Sequence, residues 1–169
     1  MKKLMFLGLL MSLIFSANAQ DADFGVKGGY LNVRASIKAD DISISASESG
    51  FYLGVLAVLK FSDKFHLQPE LLYARVSEAD AIFLPVIGKI YLTDKLNLQV
   101  GPQLVFSTQE VPDDFTGTEF DLAGGLGIDI TSVIFTEVRY TVQINNSYTG
   151  QEDIKVRGNY LTLGVGFRF

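Results

Sequence analysis

The sequence predicts an all-β fold: an eight-stranded, antiparallel, up-and-down transmembrane β-barrel. Three observations carry that prediction. Segments of about ten residues alternate apolar with small or polar side chains, the unit from which membrane-spanning barrels are built. The connections between them alternate short and long. An export leader precedes them, and beyond it no apolar run is long enough for a spanning helix, so a membrane-embedded chain must close as a barrel.

The leader reads in three parts. Lys2 and Lys3 form a positive start, Leu4 to Phe15 an apolar run, and Ala17-Asn18-Ala19 a small-residue cleavage site before Gln20. That is the layout of a secretory signal peptide over residues 1–19. An uncleaved N-terminal anchor is the alternative, but the run of about twelve residues falls short of the roughly twenty a helical span needs. Residues 20–169 then form one domain. Without Lys2 and Lys3 the 14 basic residues become 12 against 19 acidic ones, a net charge of 12 − 19 = −7, which disfavours a nucleic-acid partner. There are no cysteines, which excludes disulfides and thiolate metal sites.

The segments follow in order. The first, about Phe24–Ala35, is rich in glycine, and the second, Phe51–Phe61, is apolar on both faces until Lys60. In the third, Phe65, Leu67, Pro69, Leu71 and Tyr73 oppose His66, Gln68, Glu70, Leu72 and Ala74. The fourth, Ile82–Thr93, places Phe83 and Ile87 on its nominally inner face. The fifth sets Leu96, Leu98, Val100, Pro102, Leu104 and Phe106 against Asn97, Gln99, Gly101, Gln103 and Val105. The sixth sets Leu122, Leu126, Ile128 and Ile130 against Asp121, Ala123, Gly125, Gly127 and Asp129; the seventh sets Ile134, Val138, Tyr140, Val142 and Ile144 against Glu137, Arg139, Thr141, Gln143 and Asn145. In the last, Leu161, Leu163, Val165, Phe167 and Phe169 alternate with Tyr160, Thr162, Gly164, Gly166 and Arg168. This is period 2, which a helix cannot use.

Ser62-Asp63-Lys64, Thr93-Asp94-Lys95 and Thr131-Ser132 read as tight turns, and the first two begin an echo at an offset of 31 residues that marks equivalent hairpins. Ser36–Gly50, Ser77–Ala81, Thr108–Glu119 and Asn146–Arg157 read as the longer links. Short turns mark the periplasmic rim of such a barrel and long loops the outside. Ser43, Ser45, Ser47 and Ser49 around Ile42 and Ile44 suit an extension of the first hairpin above the membrane, whose strand edge can pair with another chain. Pro69, Pro85 and Pro102 fall inside strands, and a closed barrel has no edge to hide a missing donor, so a bulge or a break in the ladder is expected at each.

Eight strands leave an interior that side chains just fill. The inner faces carry Lys27, Lys60, Lys89, Arg139 and Arg168 against Glu70, Asp121, Asp129 and Glu137. Charges in so narrow a lumen persist when paired. The expectation is a plugged interior in which Arg139 and Lys89 meet Glu137, Glu70 or Asp121; a selective pore lined by these charges is the alternative. The one histidine, His66, is expected to point inward at the periplasmic rim. It is then remote from the outer leaflet, where a lipid-hydrolysing site belongs. With no cysteine and one histidine, neither enzymatic activity, nor a cofactor, nor a metal site is expected. The acidic stretch Glu110, Asp113, Asp114 and Glu119 matches no calcium-loop spacing and reads as solvated loop. Phe61, Phe65, Phe167 and Phe169 cluster where a periplasmic aromatic girdle belongs. A soluble, exported, lipocalin-type ligand-binding barrel would turn the apolar faces inward. It should also show an outer face dense in Lys and Glu, which the sparsely charged, glycine-rich polar faces lack.

Two resemblances add to this reading. Thr162, Gly164, Phe167 and Phe169 fit the pattern of the C-terminal signal by which outer-membrane barrels engage the barrel-assembly machinery. The stretch Phe83-Leu84-Pro85-Val86-Ile87-Gly88-Lys89-Ile90-Tyr91-Leu92, with Leu98-Gln99-Val100-Gly101-Pro102, Gly25-Val26-Lys27-Gly28-Gly29-Tyr30 and Val138-Arg139-Tyr140, resembles the PorT-like outer-membrane barrel group of Bacteroidetes. That group is similar in architecture to the OmpX and OmpA barrels. The resemblance implies a bacterial outer-membrane location and a monomer in contact with outer-membrane lipid. The filled lumen and the loops favour anchoring and recognition of a surface or protein partner, whereas the resemblance points to a transport or protein-secretion accessory role. It brings no catalytic residues.

Overall fold

The computed structural model describes residues 22–39, 42–109, 111–112, 114–150 and 154–169. The leader, residues 1–19, and acidic-loop residues Glu110 and Asp113 lie outside the described residues. Eight strands follow one another: β1 (Ala22–Ala39), β2 (Ile42–Lys60), β3 (Phe65–Val76), β4 (Ala79–Tyr91), β5 (Leu96–Ser107), β6 (Thr118–Asp129), β7 (Ile134–Gln143) and β8 (Ile154–Arg168). Each pairs antiparallel with its sequence neighbours, and β8 closes on β1. Closure extends to the chain end, where Phe169 N donates to Phe24 O at 2.9 Å and Phe24 N to Phe169 O at 3.3 Å.

The stagger of the barrel can be read from its register. Stepping across the sheet from Ala22 through Leu59, Leu67, Gly88, Val100, Gly124, Tyr140 and Leu161 returns to β1 at Asn32, a displacement of 32 − 22 = 10 residues. A stagger of that size tilts the strands by about 35–45° and leaves an interior that side chains fill.

The faces lie as the alternation requires. Val26, Leu53, Leu71, Val100, Leu126, Val138 and Val165 stand exposed outside, while Lys27, Gln68, Glu70, Lys89, Gln99, Glu137 and Arg139 are buried inside. A lipocalin-type barrel has the opposite polarity. Along β5, the ten steps from Leu96 to Phe106 cover about 25 Å of height at about 3.4 Å per residue and that tilt. This matches the apolar belt of a membrane barrel.

The turns at one rim share one construction. Ser62 Oγ, Thr93 Oγ1 and Thr131 Oγ1 each accept from the backbone N–H three residues on, at 3.1, 3.0 and 2.9 Å. At the other rim two sequence expectations need correction. Ser36–Ala39 and Ile42–Gly50 are strand rather than link, with β1 and β2 paired up to Ala39 opposite Ile42, which is the hairpin extension that the serine alternation suits. Ser77–Ala81 shrinks to a two-residue turn between Val76 and Ala79, with Ser77 at φ 53°.

The prolines are accommodated by breaks in pairing, without bulges. Pairing of β2 with β3 lapses beside Pro69, of β3 with β4 beside Pro85, and of β4 with β5 beside Pro102, and resumes each time in the same register. Each proline stays paired on its other side, with Val86, Gln103 and Leu122 respectively. The break faces the preceding strand, on the side where the proline lacks its N–H.

Candidate functional site

Inward-facing side chains stack in layers down the barrel. The central layer is ionic. Arg139 on β7 donates from Nη1 and Nη2 to both oxygens of Glu70 on β3, at 3.0 and 2.7 Å, and from Nη2 to Glu137 Oε2 at 2.9 Å. Lys27 on β1 bridges the same carboxylates, 2.5 Å from Glu137 Oε1 and 2.6 Å from Glu70 Oε2. Two cations and two carboxylates thus form a closed, neutral quartet in which each ion has two opposite neighbours, the geometry that offsets the desolvation of buried charge. The fork of Arg139 suits its bidentate grip on Glu70.

Amides that the list of expected charges omitted extend this layer. Gln99 Oε1 accepts from Arg139 Nε at 2.5 Å, and Gln99 Nε2 donates to Glu137 Oε2 at 3.3 Å and to Asn97 Oδ1 at 3.0 Å. Gln68 Nε2 donates to Glu70 Oε1 at 2.7 Å while its Oε1 accepts from Lys89 Nζ at 2.8 Å. Gln68 stands two residues from Glu70 and Gln99 two from Asn97, all at inner-face positions, so the alternation already marked where they would point.

Five expected members stand apart from the quartet. Lys89 meets no carboxylate: it binds Gln68 and lies 4.9 Å from the centre of the Phe135 ring. Asp121 meets no cation; Gln103 Nε2 reaches its Oδ2 at 3.1 Å, and its buried Oδ1 has no partner among the described residues. Asp129 and Arg168 pair with each other at 2.8 Å at the turn-end mouth, where Tyr91 also donates to Asp129. Lys60 sits half-exposed at the same mouth, paired with Asp23 at 2.9 Å. The staggered register separates these residues along the axis although all share the inner face.

Apolar layers flank the ionic one. Towards the loops lie Leu31, Tyr52, Leu72, Ala74, Phe83, Val105 and Tyr160, and towards the turns Leu56, Val58 and Phe135. Glycines on β8 make room for the large rings: a side chain at Gly164 would meet the Tyr52 hydroxyl, and one at Gly166 the Phe135 ring. Thr162 shares the inner face and is half-buried. Outside, Phe61, Phe65, Phe167 and Phe169 stand exposed at the turn end, joined by Phe24. His66 faces inward there with its ring centre 4.7 Å from that of Tyr91. Glu119, read from sequence as loop, belongs to β6 and takes the Tyr160 hydroxyl inside the barrel.

At the loop end the barrel wall is uneven. β1 runs nine residues past the belt residue Tyr30, flanked by β8 up to Ile154 and by β2 down to Ile42, whereas β3 stops at Val76 opposite Gly50. A three-stranded sheet therefore rises above the belt, and among the described strands none pairs with the outer edge of β2 over Ile42–Ser49. Its outer face is polar and ordered: Tyr30 Oη lies 2.7 Å from Ser49 Oγ, Ser47 Oγ donates to Asn32 Oδ1 at 3.1 Å, and Arg34 Nη2 to Ser45 Oγ at 3.4 Å. Near the tip, Ile37 and Ile44 pair and stay exposed at 47% and 64%.

Comparison with known proteins agrees with this geometry. Neisserial surface protein A is 15% identical, with 89% of this chain and 100% of that one aligned at a TM-score of 0.51. Ail, the attachment invasion locus protein of Yersinia pestis, is also 15% identical over 89% and 100% of the two chains, at a TM-score of 0.50. At such identity the likeness concerns the fold. No curated protein sequence matches the chain. The family model described as outer membrane protein beta-barrel domain matches residues 7–169. With a closed eight-stranded barrel, an apolar belt and a polar filled lumen, the chain belongs to the outer membrane protein beta-barrel domain family and is a barrel of the bacterial outer membrane.

Proposed function

We propose that this barrel is a non-enzymatic anchor that recognises a protein or surface partner outside the cell through the raised β8–β1–β2 sheet and the neighbouring connections. The observation that carries the reading is the edge of β2 over Ile42–Ser49, open beside the exposed Ile37–Ile44 pair. An unpaired strand edge offers a row of backbone donors and acceptors to an added strand, and nearby apolar side chains add area. The filled lumen supports binding over passage. In the membrane the barrel acts as a monomer, with Thr162, Gly164, Phe167 and Phe169 as its assembly signal.

The test is to replace residues 36–45 by a two-residue Asn-Gly turn and to compare cells displaying either barrel for adhesion and self-aggregation. The shortened barrel is expected to insert, as shown by its heat-dependent gel mobility, and to lose adhesion. Undiminished adhesion sinks the reading. The PorT-like resemblance favours a secretion accessory as the second reading. In that case deleting the gene impairs export of other proteins while the sheet is dispensable.

A further inference from the structure

Above the Tyr160–Phe83 layer, the loop end of the lumen opens into a cup of about 440 Å³. That volume lies within the roughly 300–1,000 Å³ of small-molecule sites, which join apolar walls to a few polar groups. The floor is Leu31, Ala74, Phe83, Val105 and Tyr160, and the raised sheet and the apolar side chains Val111 and Phe115 supply the walls. The β5–β6 and β7–β8 connections brace one side, where Thr116 N donates to Ser147 O at 2.9 Å and the Phe115 and Tyr148 rings meet edge-on at 5.5 Å.

Charge selects the ligand. The charged lining groups are three carboxylates, Glu48, Asp80 and Glu119, with no lysine or arginine among the described lining residues. Glu48 is engaged at the rim by Ser77 Oγ at 2.7 Å, and Asp80, on the outward side of β4, is held by the Tyr73 hydroxyl at 2.7 Å and paired with Arg75 at 3.4 Å. Glu119 lies deeper, and the Tyr160 hydroxyl occupies its Oε2. Arg34, Lys155 and Arg157 are exposed on the outward face of the raised sheet. A low-dielectric cleft ringed by one sign of charge concentrates the opposite sign.

We propose that the cup binds a compact apolar molecule carrying one protonated amine, with its body on the Phe83–Tyr160 floor and its ammonium at Glu119. An anion of the same shape is refused, because the deep polar group is the Glu119 carboxylate and no lysine or arginine is among the described lining residues.

Equilibrium dialysis of the full barrel in neutral-lipid nanodiscs against 1-aminoadamantane tests this, with empty nanodiscs subtracted and adamantane-1-carboxylate as the charge-reversed probe. The expected result is saturable binding of the amine with the carboxylate at least about tenfold weaker, a ratio worth about 1.4 kcal/mol. Ala81→Phe, which fills the cup from β4, should abolish binding, and Glu119→Gln should weaken it while leaving Tyr160 an acceptor. Val33→Trp fills the cup from the opposite wall, and the heat-dependent gel shift selects whichever filling variant folds. No saturable excess over empty nanodiscs, equal binding of the two probes, or full binding by a folded filling variant overturns the proposal.

Discussion

Arg139 makes four hydrogen bonds to three partners, Glu70, Glu137 and Gln99, and both carboxylates depend on it. Arg139→Met leaves two buried carboxylates with Lys27 as the one cation of the quartet, and breaking a buried network in this way costs about 3–5 kcal/mol. Urea titration of the folded band in detergent should show that loss. Asp121 is the opposite case. It is fully buried and meets no cation, so Asp121→Asn removes the desolvation of an uncompensated charge while Gln103 keeps its acceptor, and the urea midpoint should rise. Alternation alone placed both residues in the lumen, since inner and outer faces follow directly from period 2. Partner choice was not legible. Lys27 and Glu137 are 110 residues apart and meet because of the stagger of the whole barrel, and Lys89, on the same face, falls level with Gln68 and Phe135 instead of a carboxylate.

Gly101 and Pro102 show what a strand tolerates. The Gly101 position faces inward, where an added Cβ would overlap the Val86 carbonyl oxygen, a backbone atom that cannot swing aside. Gly101→Val should therefore yield no heat-shifted band on refolding. Pro102 points to lipid and sits beside the β4–β5 break, so Pro102→Val supplies a donor opposite Val86. The hydrogen bond is worth about 0.5–1.5 kcal/mol and the lost proline rigidity about 0.4–1 kcal/mol. The two nearly cancel, and P102V should fold with stability within about 1 kcal/mol of the parent. A large loss would mean that the break itself is required. Elements were legible where one side of the strand meets lipid, because β3, β5 and β7 then show clean alternation. The upper halves of β1 and β2 stand in water, where Ser43, Ser45, Ser47 and Ser49 resemble a loop as readily as the outer face of a strand. The two-residue turn at Ser77 was hidden for a similar reason: Asp80 is polar yet already belongs to β4.

The lumen stacks three filled layers in series, an apolar layer, the ionic quartet and a second apolar layer, and on the proposed reading each is a barrier to passage. A solute or ion must cross each, so opening one leaves the others closed. The parent barrel should be silent in planar bilayers, and Arg139→Ala should remain silent although less stable, because Tyr160 and Phe83 above and Phe135 below still close the bore. Conductance should appear only when Tyr160→Ala, Phe135→Ala and Arg139→Ala are combined in a barrel that still shows the heat-dependent shift. Steady channels in the parent would instead mean that the layers part in the membrane, and the selective-pore reading would regain its ground. Channels in R139A alone would show that the ionic layer is the sole barrier. Silence in all but the triple variant means that each layer is a barrier in its own right, and a barrel closed at every level acts through its surface.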